Sequence, residues 1–161
     1  MKQILAAALA GPLMAGPLMA GSLMAGVAVA RADDLVTTYQ TDEAFADVAQ
    51  DIQDAIVNRG YVVDYHGHIG DMLKRTAGDV GAAKPLYKNA EFMQFCSAVV
   101  SRSVMEADIG NIAYCPYIVF AYEAEAAPGK VVVGYRRLPK GDGRDQVNDL
   151  LDEIAKEASG Q

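Results

Sequence analysis

The chain has 161 residues, a formal net charge of −7 and 52% hydrophobic residues, with two cysteines and two histidines. That length fits one domain, and folding buries about two-thirds of the surface of such a chain, so its core needs no covalent staple. The acidic balance repels phosphate backbones and no basic stripe offsets it, which argues against nucleic-acid binding.

The front of the chain reads as an address rather than as part of the fold. Lys2 gives a short basic start, Ile4 to Ala30 is uncharged and apolar or small, and Ala30-Arg31-Ala32 forms an A-x-A cleavage pattern ahead of Asp33-Asp34. Within the run a five-residue unit occurs three times, as GPLMA, GPLMA and GSLMA from Gly11 to Ala25. A period of five lies far below that of solenoids. The run is long enough to span a bilayer, but Pro12, Pro17 and the recurring glycines weaken it as a permanent helix. Residues 1–32 are therefore expected to be a cleavable signal peptide and 33–161 the domain. The protein would be exported, most simply to a bacterial periplasm, with no stable membrane insertion afterwards. Removing Lys2 and Arg31 takes the charge to −9, with 12 basic against 21 acidic residues. An oxidising compartment makes a disulfide the first question to ask of the cysteines.

Leu35–Gln40 alternates weakly and predicts a first strand. Thr41-Asp42 offers an N-cap, with Glu43 placed near the positive end of a helix. Phe45, Val48, Ala49, Ile52, Ala55 and Ile56 recur at spacings of three and four, opposite Asp47, Gln50, Asp51, Gln53 and Asp54. That is an amphipathic helix, which Gly60 can end in a left-handed conformation. Tyr61–His68 predicts a second strand, with Tyr61, Val63 and Tyr65 toward the core and Val62, Asp64, His66 and His68 on the other face. Ile69–Lys74 reads as a short helix or turn, and Gly78–Pro85 as a loop. Glu91–Cys96 predicts a third strand, with Phe92, Gln94 and Cys96 on one face, and Ala98–Ala107 a helix. After a turn at Asp108–Asn111, Ile112–Glu123 reads as a central or near-central strand that Pro116 interrupts by a bulge or an edge. Pro128-Gly129 turns the chain into Lys130–Arg137, the partner strand. Gly141–Gly143 breaks it again before a last helix from about Arg144 to Ala158, burying Val147, Leu150, Leu151, Ile154 and Ala155. The class is α+β: one domain, a mixed or antiparallel sheet of about five strands, two long helices and one or two short ones. Were strands three and four parallel, the crossover between them would be right-handed.

Two constellations stand out. Cys96 and Cys115 fit a disulfide, two buried thiols, or a redox or metal pair. A bridge would contribute about 3 kcal/mol through loop closure. There is no C-x-x-C, and no cation stands beside either cysteine in sequence. Asp64, His66 and His68 share a predicted strand face at about 6.6 Å intervals, so the H-x-H pair can converge on one metal, with a carboxylate suited to zinc or non-haem iron. Polar residues on the wet side of a sheet give the same pattern. Arg102, Arg136 and Arg137 are candidates to hold an anion, and Tyr114 and Tyr117 to line a pocket. No Gly-rich phosphate loop and no G-x-S-x-G is present.

These features together resemble the domain of unknown function 302 family over most of residues 37–139. The likeness rests on the helix ending in Asn58-Arg59-Gly60, the strand Tyr61–Tyr65, Cys96, and Glu106-Ala107-Asp108. It continues through Cys115-Pro116, Tyr122-Glu123, and the hairpin return to Tyr135 and Pro139. Where many members carry Cys-Asn-Pro, this chain has Cys96-Ser97-Ala98. His68 matches a histidine found after strand two in an often secreted branch; His66 does not. The resemblance implies a small α+β domain that pairs as a homodimer, and no established activity. The expected function is a periplasmic, non-enzymatic, dimeric binding or accessory domain taking a small-molecule ligand near His68, Cys96, Cys115 and Tyr117. No cofactor is expected in that reading. The alternative is a redox, haem- or metal-binding protein of thiol, sulfur or electron-transfer chemistry, using Cys96, Cys115 and His68.

Overall fold

Tyr39 and Tyr135, from two paired strands, both donate to Asp152 on the last helix, at 2.5 and 3.1 Å, and that contact joins the two layers of the fold. The computed structural model describes residues 35–82 and 84–161; the expected signal peptide lies outside them. Strands β1 (Val36–Thr41), β2 (Val63–Gly67), β3 (Tyr87–Phe95), β4 (Tyr117–Ala124) and β5 (Val131–Arg136) form one sheet in the order β1-β5-β4-β3-β2. Every neighbouring pair is antiparallel, so no crossover arises between β3 and β4. Helices α1 (Phe45–Asn58), α2 (Ile69–Thr76), α3 (Ala98–Ala107) and α4 (Asp145–Glu157) complete the α+β domain, with a 3-10 segment at Ile109–Tyr114. None of the described helices is long and apolar enough to cross a membrane.

One core lies between the sheet and the two long helices. Val48, Ile52, Ala55 and Ile56 of α1 and Val147, Leu151, Ile154 and Ala155 of α4 meet Met93, Phe95, Val119, Ala121, Val131 and Val133. Each large apolar side chain buried here contributes about 1.5–3 kcal/mol. β4 alternates strictly, Tyr117, Val119, Ala121 and Glu123 inward and Ile118, Phe120, Tyr122 and Ala124 half-buried on the outer face. On that outer face Gly134 leaves room for a ring. A Cβ there would stand 2.7 Å from both Phe120 Cζ and the Thr37 carbonyl. Gly60, at φ 81°, ends α1 as the sequence implies.

Several boundaries differ from expectation. Thr41 belongs to β1 and its hydroxyl accepts from the Glu43 N–H, so α1 begins at Phe45 with Ala44 as its N-cap, without a side-chain cap. β3 begins earlier, at Tyr87, and Cys96 falls just beyond its end. Ile112–Tyr114 is apolar enough for a strand, yet it coils. Asp108 accepts from Gly110 N at 2.9 Å, and buried Asn111 donates to the Val104 carbonyl at 2.6 Å, tying the segment to the end of α3. Pro116 stands ahead of β4 rather than interrupting it, where its missing N–H costs no ladder bond. α3 itself is helical as expected, and Ser97 caps it by accepting from Val100 N.

The largest correction is in β2. Its register against β3 shifts between Val63 and Tyr65, placing Val63 opposite Phe95, Tyr65 opposite Gln94 and His66 opposite Met93. One extra residue in a strand exchanges the faces of everything after it. Tyr65 therefore joins Phe92 on the outer face, with ring centroids 5.8 Å apart, and His66 turns to the side of Met93.

Candidate metal centre

The bulge in β2 decides which carboxylate the histidines meet. β3 runs antiparallel beside β2, so its early part passes the end of β2, and Glu91 shares a face with Met93. His66 Nε2 lies 2.7 Å from Glu91 Oε2, and His68 Nδ1 lies 3.0 Å from Glu91 Oε1. The two imidazole centroids are 4.4 Å apart. His68 sits at the N-cap position of α2, just after the strand, which lets its ring swing back over Glu91. A carboxylate only accepts, so each imidazole presents an N–H to it. His66, His68 and Glu91 each offer a ligand atom within 4.8 Å of the others. Glu91 and His66 are three-quarters buried or nearly so, while the His68 side chain is 52% exposed, so the cluster opens to solvent on one side.

Two histidines thus converge as their spacing implies, but with Glu91 in place of Asp64. Asp64 is exposed at the bulge and stands outside the cluster. Glu91 has no signal in the sequence near the histidines, being 25 residues from His66. Only the pairing of β2 with β3 reveals it.

The cysteines occupy a different place. Cys96 and Cys115 lie at disulfide distance, their Cα atoms 6.7 Å apart, where they join the end of β3 to the entry of β4. Ser101 Oγ is 3.9 Å from Cys115 Sγ and donates to Tyr117 Oη at 3.1 Å. Burial pushes the Tyr117 phenol above its ordinary pKa, and the Ser101 hydrogen bond offsets part of that rise. Gly67 pairs with Phe92, so His68 stands level with Glu91, five residues from Cys96 along β3. That is about 16 Å at strand spacing. His68 and the cysteines therefore do not form one centre. Tyr114, Cys115 and Tyr117 instead line a cavity of about 460 Å³ at the other end of the sheet.

Two further carboxylates are occupied. Glu123 accepts from Gly129 N at 2.8 Å, Asn89 Nδ2 at 2.9 Å and Lys88 Nζ at 3.2 Å, and these bonds, in that order, hold its carboxyl below the ordinary range. Burial raises Asp152, but hydrogen bonds from Lys156, Tyr39 and Tyr135 outweigh it and leave its carboxyl lower than usual. The same contact and, first, burial raise the pKa of Tyr39.

No protein-family model and no curated protein matches the chain. Among solved structures it is similar to the crystal structure of an uncharacterized conserved protein, DUF302, from Bacillus stearothermophilus. The likeness has a TM-score of 0.55 at 11% identity and covers 78% of this chain and 94% of that one. At that identity what the two share is the fold, so the architecture implied by Tyr61–Tyr65, Cys115-Pro116 and the β4–β5 hairpin is the architecture found.

Proposed function

We propose that this chain is a small metal-binding accessory domain whose site is His66, His68 and Glu91, taking zinc or a related divalent transition metal. One observation carries the reading: three ligand atoms of the right chemistry, from β2, the N-cap of α2 and β3, lie within 4.8 Å of one another. Ligand atoms around a tetrahedral zinc at 2.0–2.1 Å stand roughly 3.3 Å apart. The contacts of 2.7 and 3.0 Å, each to a different Glu91 oxygen, open by a few tenths of an ångström to reach that spacing, and any pair nearer the 4.8 Å limit closes toward it. Coordination uses the lone pair of the nitrogen that faces Glu91, so each neutral imidazole carries its proton on the other ring nitrogen, and acid, which protonates both nitrogens, weakens binding. Three protein ligands leave a fourth position, on the exposed side of His68, for water or a small ligand. The A-x-A pattern and the cysteine pair at disulfide distance support an exported, periplasmic member of the 302 family. A half-buried outer sheet face carrying Phe92, Ile118, Phe120 and Tyr122 supports a homodimer.

The test is titration of the EDTA-treated protein with zinc, followed by calorimetry and elemental analysis. One ion per chain is expected, with micromolar or tighter affinity. Stoichiometric binding that survives both His68→Ala and Glu91→Gln would place the ion elsewhere. No saturable binding in the native protein would end the proposal.

A further inference from the structure

The cavity at the other end of the sheet combines features that the His–Glu cluster does not explain. Among the described residues its walls include Arg136 and Arg137 and no carboxylate, in a chain with 21 acidic residues. Arg59, Arg102 and Arg144 each have a carboxylate partner. Among the described residues neither Arg136 nor Arg137 makes a side-chain hydrogen bond or ion pair, and Arg137 Nε is buried without an acceptor. Buried donors are nearly always satisfied, and one on a charged group asks most strongly for a partner.

The local fold explains how both reach one cavity. Arg136 ends β5 opposite Val36, and the next residue, Arg137, donates its backbone N–H to the Leu35 carbonyl at 2.8 Å. Consecutive strand residues point to opposite faces, so the pair straddles the sheet end. The rest of the lining is largely apolar, with Tyr114, Pro116, Ile118 and Leu138. A volume of about 460 Å³ falls in the range of small-ligand sites.

We propose that this cavity binds a carboxylate carrying an apolar group, the planar carboxylate engaging Arg137 and Arg136 and the apolar part lying against Tyr114, Pro116 and Leu138. A carboxylate matches the planar donor edge of a guanidinium, and inorganic phosphate would leave the apolar walls unfilled. The carboxylate has two possible sources: a free organic acid, or Asp33-Asp34 of the chain itself, directly before Leu35 in sequence. This inference is independent of the metal reading.

The experiment is an amide NMR titration with benzoate, with acetate and inorganic phosphate as comparisons. It uses the wild-type domain, Arg137→Met, Arg137→Lys, Arg136→Met and the double variant Asp33→Asn/Asp34→Asn. Saturable benzoate shifts at Tyr114, Cys115 and Leu138 are expected, with acetate and phosphate at least tenfold weaker. Arg137→Met should weaken benzoate at least tenfold. Arg137→Lys, which keeps the charge but loses the paired donors, should weaken it less, and Arg136→Met by a few-fold. Affinity unchanged in the aspartate double variant assigns the site to a free acid; affinity raised there assigns the carboxylate to the chain. The inference is overturned by absent saturation in both wild type and double variant. Wild-type affinity in Arg136→Met together with either folded Arg137 variant overturns it equally.

Discussion

Glu91 and Glu123 sit on adjacent strands, both turned toward the helices, two register positions apart. Glu123 is 7% exposed and receives three donors that hold its carboxyl below the ordinary range, one of them a backbone N–H. Among the described residues Glu91 is answered only by two imidazoles. A carboxylate surrounded by fixed donors has nothing left to offer a ligand, and its charge serves the fold. One answered by imidazoles, which turn a lone pair to a metal by carrying their proton on the other ring nitrogen, can share an ion with them. The same residue type on one sheet face thus serves the β4–β5 hairpin in one case and a candidate centre in the other.

The sharpest way to break that distinction is to remove ligands. His66→Ala with Glu91→Gln leaves one ligand of three, and zinc binding should vanish. Glu91→Gln alone should cost about 100-fold in affinity, at or beyond the upper end of what supporting residues are worth. Glu123→Gln should leave zinc affinity unchanged, measured by the same calorimetry. Equal losses from both glutamates would show that the two carboxylates are not separate in function.

The next largest effect should fall on stability alone. Ile52, 2% exposed, shares a crevice with Glu91, Met93, Val119 and Ala121. Ile52→Ala should cost about 2–5 kcal/mol in urea unfolding, as large-to-small changes in packed cores do. Zinc affinity at low temperature should stay within about threefold of wild type, because the ligands are placed by strand pairing rather than by this side chain. A parallel loss of affinity would mean that the cluster depends on the core beneath it.

What the sequence made legible follows from the range of the forces involved. α1 and α4 were readable because their apolar stripes repeat at a local period and bury Val48, Ile52, Val147 and Leu151 as expected. The β4–β5 hairpin was readable from Pro128-Gly129 between two apolar runs. Ile112–Tyr114 misled because its apolar character suits a strand, whereas its conformation is set by Asp108 and by Asn111 reaching back to Val104. The candidate set was half legible. His66 and His68 lie close in sequence, but their carboxylate depends on an antiparallel pairing and a bulge that reverses the alternation after Val63. Period-two reasoning assigns Asp64 to their face; the bulge removes it and leaves Glu91.

Glu123 should reveal itself through pH. Its folded carboxyl lies below the unfolded value of about 4.3, so its contribution is fully present above that pH and is lost as pH falls through the folded value. Wild type should therefore exceed Glu123→Gln in melting temperature by most near neutral pH, and the gap should narrow below about pH 4. Glu91→Gln serves as the comparison. A gap that stays constant down to pH 3 would show that Glu123 acts by shape rather than by charge.

The smallest effect should come from Lys88→Met. Lys88 is the third of the Glu123 donors and its side chain is 45% exposed, at 3.2 Å from the carboxylate. Exposed ion pairs contribute little because water screens them and holding a long side chain costs rotamer entropy. Gly129 N and Asn89 Nδ2 remain in place, so the variant should shift the melting temperature far less than Glu123→Gln, and added salt should erase the difference. Asn89→Ala, which removes a closer donor, should fall between the two. If Lys88→Met matched Glu123→Gln, the hairpin anion would depend on a mobile surface charge, and its contrast with Glu91 would rest on net charge rather than on fixed hydrogen bonds.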